Sequence, residues 1–197
     1  MAVFSKLAEK LCFEGSFIYF ILGISLLACF IPIIYPFFCY KKINPDSRLI
    51  LAGSYTGMEN YYERLVKYTE ILGIKDDVIF TGHIKFNEIL AYYRTASVFV
   101  CMSQHEGFCV PLAEAMFFNI PVVAYNAAAI PDTLGGSGLL LDDNSPEYAA
   151  AVIDRIVRDS KLREAVLNIQ RKRLEDFSYE RIRDTFEKQL KGFLNKK

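Results

Sequence analysis

The sequence has no excess charge of either sign. Across 197 residues, 23 Lys and Arg face 23 Asp and Glu, giving a formal net charge of zero and a pI near 6.7. A nucleic-acid partner would call for a basic excess to neutralise phosphates, so no nucleic acid is expected. Metal ligands are scarce: there are two His, His83 and His105, and five Cys (Cys12, Cys29, Cys39, Cys101, Cys109) with no CxxC spacing. An odd number of irregularly spaced thiols fits reduced, mostly buried cysteines, not a disulfide framework or a zinc site. The turn Gly135-Gly136-Ser137-Gly138 lacks the Lys and following helix of a P-loop and reads as structural. No internal repeat or low-complexity linker is present. What is abundant is apolar: 52% hydrophobic residues, including 16 Phe and 12 Tyr, supply a core and exclude disorder for most of the chain.

These apolar residues are unevenly spread. Residues 17–40, FIYFILGISLLACFIPIIYPFFCY, contain no charge. About 20 such residues in a helix span a bilayer core, so this run is a candidate transmembrane helix within an N-terminal apolar segment, residues 1–40. Lys6 and Lys10 precede it, diluted by Glu9 and Glu14, and Lys41, Lys42 and Arg48 follow. That bias places residues 41–197 on the cytoplasmic side. Pro32 and Pro36 oppose a continuous helix, and a buried segment is the alternative.

Beyond Lys41 the composition is that of an α/β domain. Strands are expected at 47–53 (SRLILAG), 77–82 (DVIFTG), 97–102 (SVFVCM), 121–125 (PVVAY) and 138–141. Helices are expected at 58–72, 87–95, 111–119, 146–159, 161–176 and 179–194. The alternation predicts βαβ units in a parallel sheet flanked by helices, with ligands at the carboxyl ends of the strands.

The loop after SVFVCM carries the most chemistry. Pro111 suits the first turn of a helix, so the N–H groups of Gly107, Phe108 and Cys109 fall at or just before its N-terminus. Such N–H groups and the positive dipole end suit a phosphate or diphosphate. Two carboxylates, Glu106 and Glu114, frame the place, and each can accept two hydroxyl hydrogens. A ligand with a diol on each side of its phosphates, such as a nucleotide sugar, fits that pair. An acidic first turn that complements the macrodipole is the alternative reading. His83 and His105 read as ordinary loop residues, and the Tyr61, Tyr62, Tyr68, Tyr92 and Tyr93 set reads as core and helix surface. Asp132 either completes the pocket or sits at a helix end.

The stretch Glu106-Gly107-Phe108-Cys109-Val110-Pro111-Leu112-Ala113-Glu114-Ala115-Met116, followed by Asn119-Ile120-Pro121-Val122-Val123-Ala124 and Ile130-Pro131-Asp132, resembles the E-x7-E region of retaining family-4 glycosyltransferases. Asn44-Pro45-Asp46, Phe80-Thr81-Gly82-His83 and Ala91-Tyr92-Tyr93 also fall in the family's order. The resemblance covers about residues 37–190 and implies the C-terminal, donor-binding half of a GT-B fold. It implies that Glu106 binds donor-sugar hydroxyls and is the catalytic candidate, and that Gly107, Phe108 and Cys109 are backbone donors to sugar and diphosphate. It further implies that Glu114 binds the ribose hydroxyls and Ile84 contacts the base. No metal and no cofactor beyond the nucleotide-sugar substrate is implied. The reaction implied is retaining hexosyl transfer in envelope or surface polysaccharide or glycolipid synthesis.

Two departures accompany the resemblance. Cys109 stands where the family usually has Gly, and the family's Arg and Lys pair, which offsets charge on the leaving diphosphate, has no counterpart. Residues 1–36 match nothing in the pattern, so the sheet is expected to lack its first strand and the isolated chain to be of low stability. Three readings are open: a truncated, inactive fragment; a membrane-anchored donor half paired with a separate acceptor-domain subunit; and a non-catalytic nucleotide-sugar-binding protein.

Overall fold

The structure, a computed structural model, describes residues 19–22 and 31–194, with side chains from Pro32 onward. Among the described residues six short strands carry the fold: β1 (Tyr19–Leu22), β2 (Arg48–Ala52), β3 (Val78–Gly82), β4 (Phe99–Cys101), β5 (Val122–Tyr125) and β6 (Leu139–Leu141). These strands pair in parallel, in the orders β1-β2-β3 and β4-β5-β6, with one isolated antiparallel bridge from Gly53 to Gly82. The two sets meet where β1 runs beside β4. The resulting order 3-2-1-4-5-6 is that of a doubly wound sheet.

Because both faces are covered, the strands read as unbroken apolar runs instead of alternating ones. Alternate residues feed two cores. Val98, Val100 and Val123 enter one with Leu49, Leu51, Ile153 and Ile156, while Phe99, Cys101, Val122 and Ala124 enter the other with Tyr93, Leu112 and Met116. The flanking helices are α1 (Ile31–Ile43), α2 (Glu59–Ile71), α3 (Phe86–Thr95), α4 (Val110–Phe117), α5 (Ile130–Leu134), α6 (Pro146–Arg158), α7 (Ser160–Leu174) and α8 (Tyr179–Leu194). Gln170 of α7, fully buried, ties its helix to the sheet: its Oε1 accepts the Val122 N–H at 3.0 Å and its Nε2 donates to the Ile120 carbonyl at 2.8 Å. Helix α8 buries none of its residues and leaves Tyr179, Ile182, Phe186, Leu190 and Phe193 exposed.

The expected transmembrane helix over residues 17–40, and with it the apolar N-terminal helix, is corrected. That run supplies β1, paired Tyr19↔Arg48 to Leu22↔Leu51, and then most of α1. At 13 residues α1 is roughly 20 Å long, short of the roughly 30 Å hydrocarbon core. Its Ile33, Ile34, Phe37 and Tyr40 are buried, and α6 packs against the helix. Among the described residues no helix is long and apolar enough to cross a membrane. The reason is physical: a strand covered on both faces and a helix sunk in a core exclude charge for the same reason a lipid-embedded segment does. Strand β1 also fills the place expected to be empty. The flanking Lys6 and Lys10, and Cys12 and Cys29, lie outside the described residues.

Candidate functional site

Parallel strands bring their carboxyl ends to one edge, so the loops after β3, β4 and β5 share it. The loop 102–109 leaves β4 and is held by its own polar groups. Buried Ser103 accepts the His105 N–H at 3.4 Å, and its hydroxyl donates to the His105 carbonyl at 3.3 Å. From the side, the Ala129 N–H donates to the Glu106 carbonyl at 3.4 Å and the Thr133 hydroxyl to the Phe108 carbonyl at 2.5 Å. The Phe108 ring meets Phe177 edge-on at 5.5 Å.

Cys109 then turns the chain into α4. Its φ of 60° and ψ of 67° lie in the left-handed region, which costs an L-residue roughly 1–2 kcal/mol and which Gly adopts freely. This is a backbone reason for Gly at that place. No side chain caps the helix at Cys109, and Pro111 lies in its first turn. The N-terminus of α4 thus faces the loop that carries Glu106, Gly107 and Phe108.

Glu114 sits half-buried on α4, and the Tyr93 hydroxyl donates to its Oε2 at 2.8 Å. Tyr93 is 2% exposed and stacks on Phe118, with ring centroids 5.2 Å apart. Burial, the hydrogen bond and the Glu114 charge together hold the Tyr93 phenol far above the ordinary tyrosine range, so it remains a donor. Ile84, half-buried just beyond β3, packs on the apolar cluster that contains Tyr93 and Cys101.

The Cys101 and Cys109 sulfurs lie 4.0 Å apart, both unbridged. The hydrogen bond to Cys101 and burial push the Cys109 thiol up, and the Glu106 charge adds to this. A thiol kept protonated is a poor nucleophile.

The sequence-predicted residues thus fall into one neighbourhood: Glu106, Gly107, Phe108 and Cys109 on the loop, Glu114 on the helix it opens and Ile84 on the adjacent loop. His83 and His105 are exposed loop residues, and Asp132 is exposed in the first turn of α5. Sequence reasoning missed Tyr93, Thr133 and Arg173. Arg173 donates to the Thr133 carbonyl at 3.0 Å and the Asp132 carbonyl at 2.6 Å, and its guanidinium covers Phe177 at 4.8 Å. One signal for Tyr93 was available: a tyrosine on the buried face of a helix needs a partner for its hydroxyl.

A profile of the family described as Glycosyl transferases group 1 matches residues 39–173. The chain is 31% identical over 145 residues to the O-antigen chain mannosyltransferase B of Escherichia coli, covering 72% of this chain and 37% of that protein. It is 30% identical over 149 residues to spore coat protein SA of Bacillus subtilis, covering 71% and 39%. The chain thus spans less than two fifths of the length of these relatives. Among solved structures, it resembles the C-terminal domain of a glycosyl transferase group 1 family protein (LpcC) from Francisella tularensis, with a TM-score of 0.70, 25% identity and coverage of 85% and 88%. It also shares its fold with HepE of Anabaena, solved with UDP and glucose, with a TM-score of 0.80, 21% identity and coverage of 97% and 52%.

Proposed function

The chain belongs to the glycosyl transferases group 1 family, and on that premise we propose that its carboxyl edge binds a nucleoside-diphosphate sugar and serves retaining hexosyl transfer. The observation that carries this reading is the pair Glu106 and Glu114 on either side of the uncapped N-terminus of α4. The diphosphate lies at that helix end, met by N–H groups and dipole. Glu114, steadied by Tyr93, takes the ribose hydroxyls. Glu106 takes hydroxyls of the transferred sugar and is the catalytic candidate, Gly107, Phe108 and Cys109 present backbone donors, and Ile84 lies against the base. Neither a metal nor a further cofactor is needed for transfer on this reading.

Acceptor hydroxyls reach the sugar from a separate domain or subunit facing the same edge. The stretch after β1, GISLLACF, contains no Arg or Lys. The helix dipole and loop amides therefore carry the electrostatic stabilisation of the leaving diphosphate from this side. A place in surface polysaccharide or glycolipid assembly is supported by the mannosyltransferase among the relatives.

The test is calorimetric titration of the chain with UDP, GDP and ADP, alongside Glu114→Ala. Losing a charged acceptor for a diol weakens binding by roughly 1.5–3 kcal/mol, about ten- to hundredfold. A folded chain that binds none of the three nucleotides overturns the reading.

A further inference from the structure

Cys101, Glu106 and Cys109 each offer one ligand atom, and those atoms all lie within 4.8 Å of one another. The geometry points to a site for a soft divalent cation of the zinc type, held by both thiolates and the Glu106 carboxylate. This goes beyond the donor reading, and an ion bound there engages the same Glu106 carboxylate that the donor sugar uses, so ion and sugar compete for it.

The thiols now share a hydrogen bond, and their separation favours an ion between them over a disulfide. A tetrahedral ion with metal–sulfur bonds near 2.3 Å sets its two sulfurs roughly 3.8 Å apart. The observed separation is 4.0 Å, already the bite of such an ion. A disulfide needs a separation near 2.05 Å, so one sulfur would have to move by about 2 Å. Both thiols sit on fixed backbone. Cys101 ends β4, registered against Ala124, and Cys109 directly precedes α4. The Glu106 segment between them is stitched to Ala129 and Thr133.

Charge points the same way. Two thiolates and a carboxylate at this spacing repel one another, and a cation is the counter-charge that lets all three ionise together. Their softness selects zinc-like ions over magnesium or calcium. Cys101 is buried, whereas Glu106 and Cys109 are half-exposed, which gives an ion a way in. Three protein ligands leave the fourth position to water. Cys109 also accepts a left-handed backbone that Gly would take without strain, so its sulfur is kept against a local cost.

The test uses the full chain, metal-free and held reduced by a non-thiol reductant, titrated with Co2+. One cobalt per chain is expected, with near-ultraviolet thiolate-to-cobalt absorption and the visible bands of tetrahedral cobalt, both erased by one equivalent of Zn2+. Cys109→Gly keeps the backbone comfortable, and Cys101→Ala removes the other sulfur. Each should cut the thiolate absorption by half or more and weaken binding by at least about tenfold. Glu106→Gln should weaken binding while leaving the thiolate absorption in place. No thiolate band overturns the proposal. So does a band indifferent to Cys109→Gly, which assigns the ion to other cysteines. A chain that refuses cobalt and, in air, loses two hydrogens to oxygen as Cys101 and Cys109 join also overturns it, making the pair a redox couple.

Discussion

Tyr93→Phe removes a single oxygen atom from the molecule. The ring still stacks on Phe118 and Phe99, so packing is preserved and the change isolates the donor to Glu114 Oε2. A hydrogen bond to a charged acceptor contributes roughly 1.5–3 kcal/mol. Glu114 is half-buried, so water partly replaces the lost donor, and a destabilisation of about 1–2 kcal/mol is expected. With a urea m-value of about 2–3 kcal/mol/M for a chain this size, the unfolding midpoint falls by about 0.5 M. The assay is urea unfolding followed by circular dichroism for wild type, Tyr93→Phe, Glu114→Ala and the double variant. The two single changes should be coupled by about 1 kcal/mol, because each removes one partner of the same bond. Strictly additive effects, or a midpoint unmoved by Tyr93→Phe, would refute the claim that Tyr93 holds Glu114. Nucleotide affinity provides a second readout, expected to fall by up to about tenfold as the carboxylate loses its fixed orientation.

Gln170→Leu should leave the Val122 N–H and the Ile120 carbonyl buried and unpaired, a loss of about 2–5 kcal/mol read from the urea midpoint. Gly135→Ala places a methyl group 2.7 Å from the Arg173 guanidinium at a φ of +55°, and should cost about 2–4 kcal/mol. The control Gly73→Ala, at +69° with open space around it, should cost only about 1 kcal/mol, and equal losses would sink the Arg173 argument. Burial raises the phenols of Tyr40, Tyr68, Tyr92 and Tyr93 in the folded chain. Above about pH 10 the unfolded chain therefore releases protons that the folded chain keeps. The corresponding stability is complete below that pH and is lost as pH rises toward the folded values, by about 1.4 kcal/mol per pH unit for a fully buried tyrosine. Urea midpoints across this range should fall less steeply in Tyr93→Phe.

Strands β2 to β6 and most helices were legible because each carries a signal that survives without tertiary context, such as an apolar run closed by Gly or a 3.6-residue period. The loop at Glu106 and the helix after it were legible through Pro111. Strand β1 was not, because four residues inside an uncharged run have no boundary of their own, and only pairing with Leu49–Leu51 marks them out. Helix α5, at five residues, is too short to show a period. The supports of the site escaped for a related reason. Arg173 reaches the Thr133 carbonyl across 40 positions, and Tyr93 reaches Glu114 across 21. Partners at that separation are set by the sheet order, so local sequence can show that Tyr93 needs one without saying which residue it is.

Strand β1 lies at the middle of the sheet, yet among the described strands it leaves the ribosome before the others. Its partner β2 follows after one helix, but the neighbour on its other side, β4, is made only after α2, β3 and α3. Throughout that interval an uncharged strand presents an open edge, the arrangement most prone to wrong pairing during synthesis. Closing that edge brings residue 22 to residue 99 and later, a non-local step of the kind that slows folding. The yield of folded chain should therefore depend on translation rate and on chaperones that shield apolar segments, more than on the stability of the finished domain.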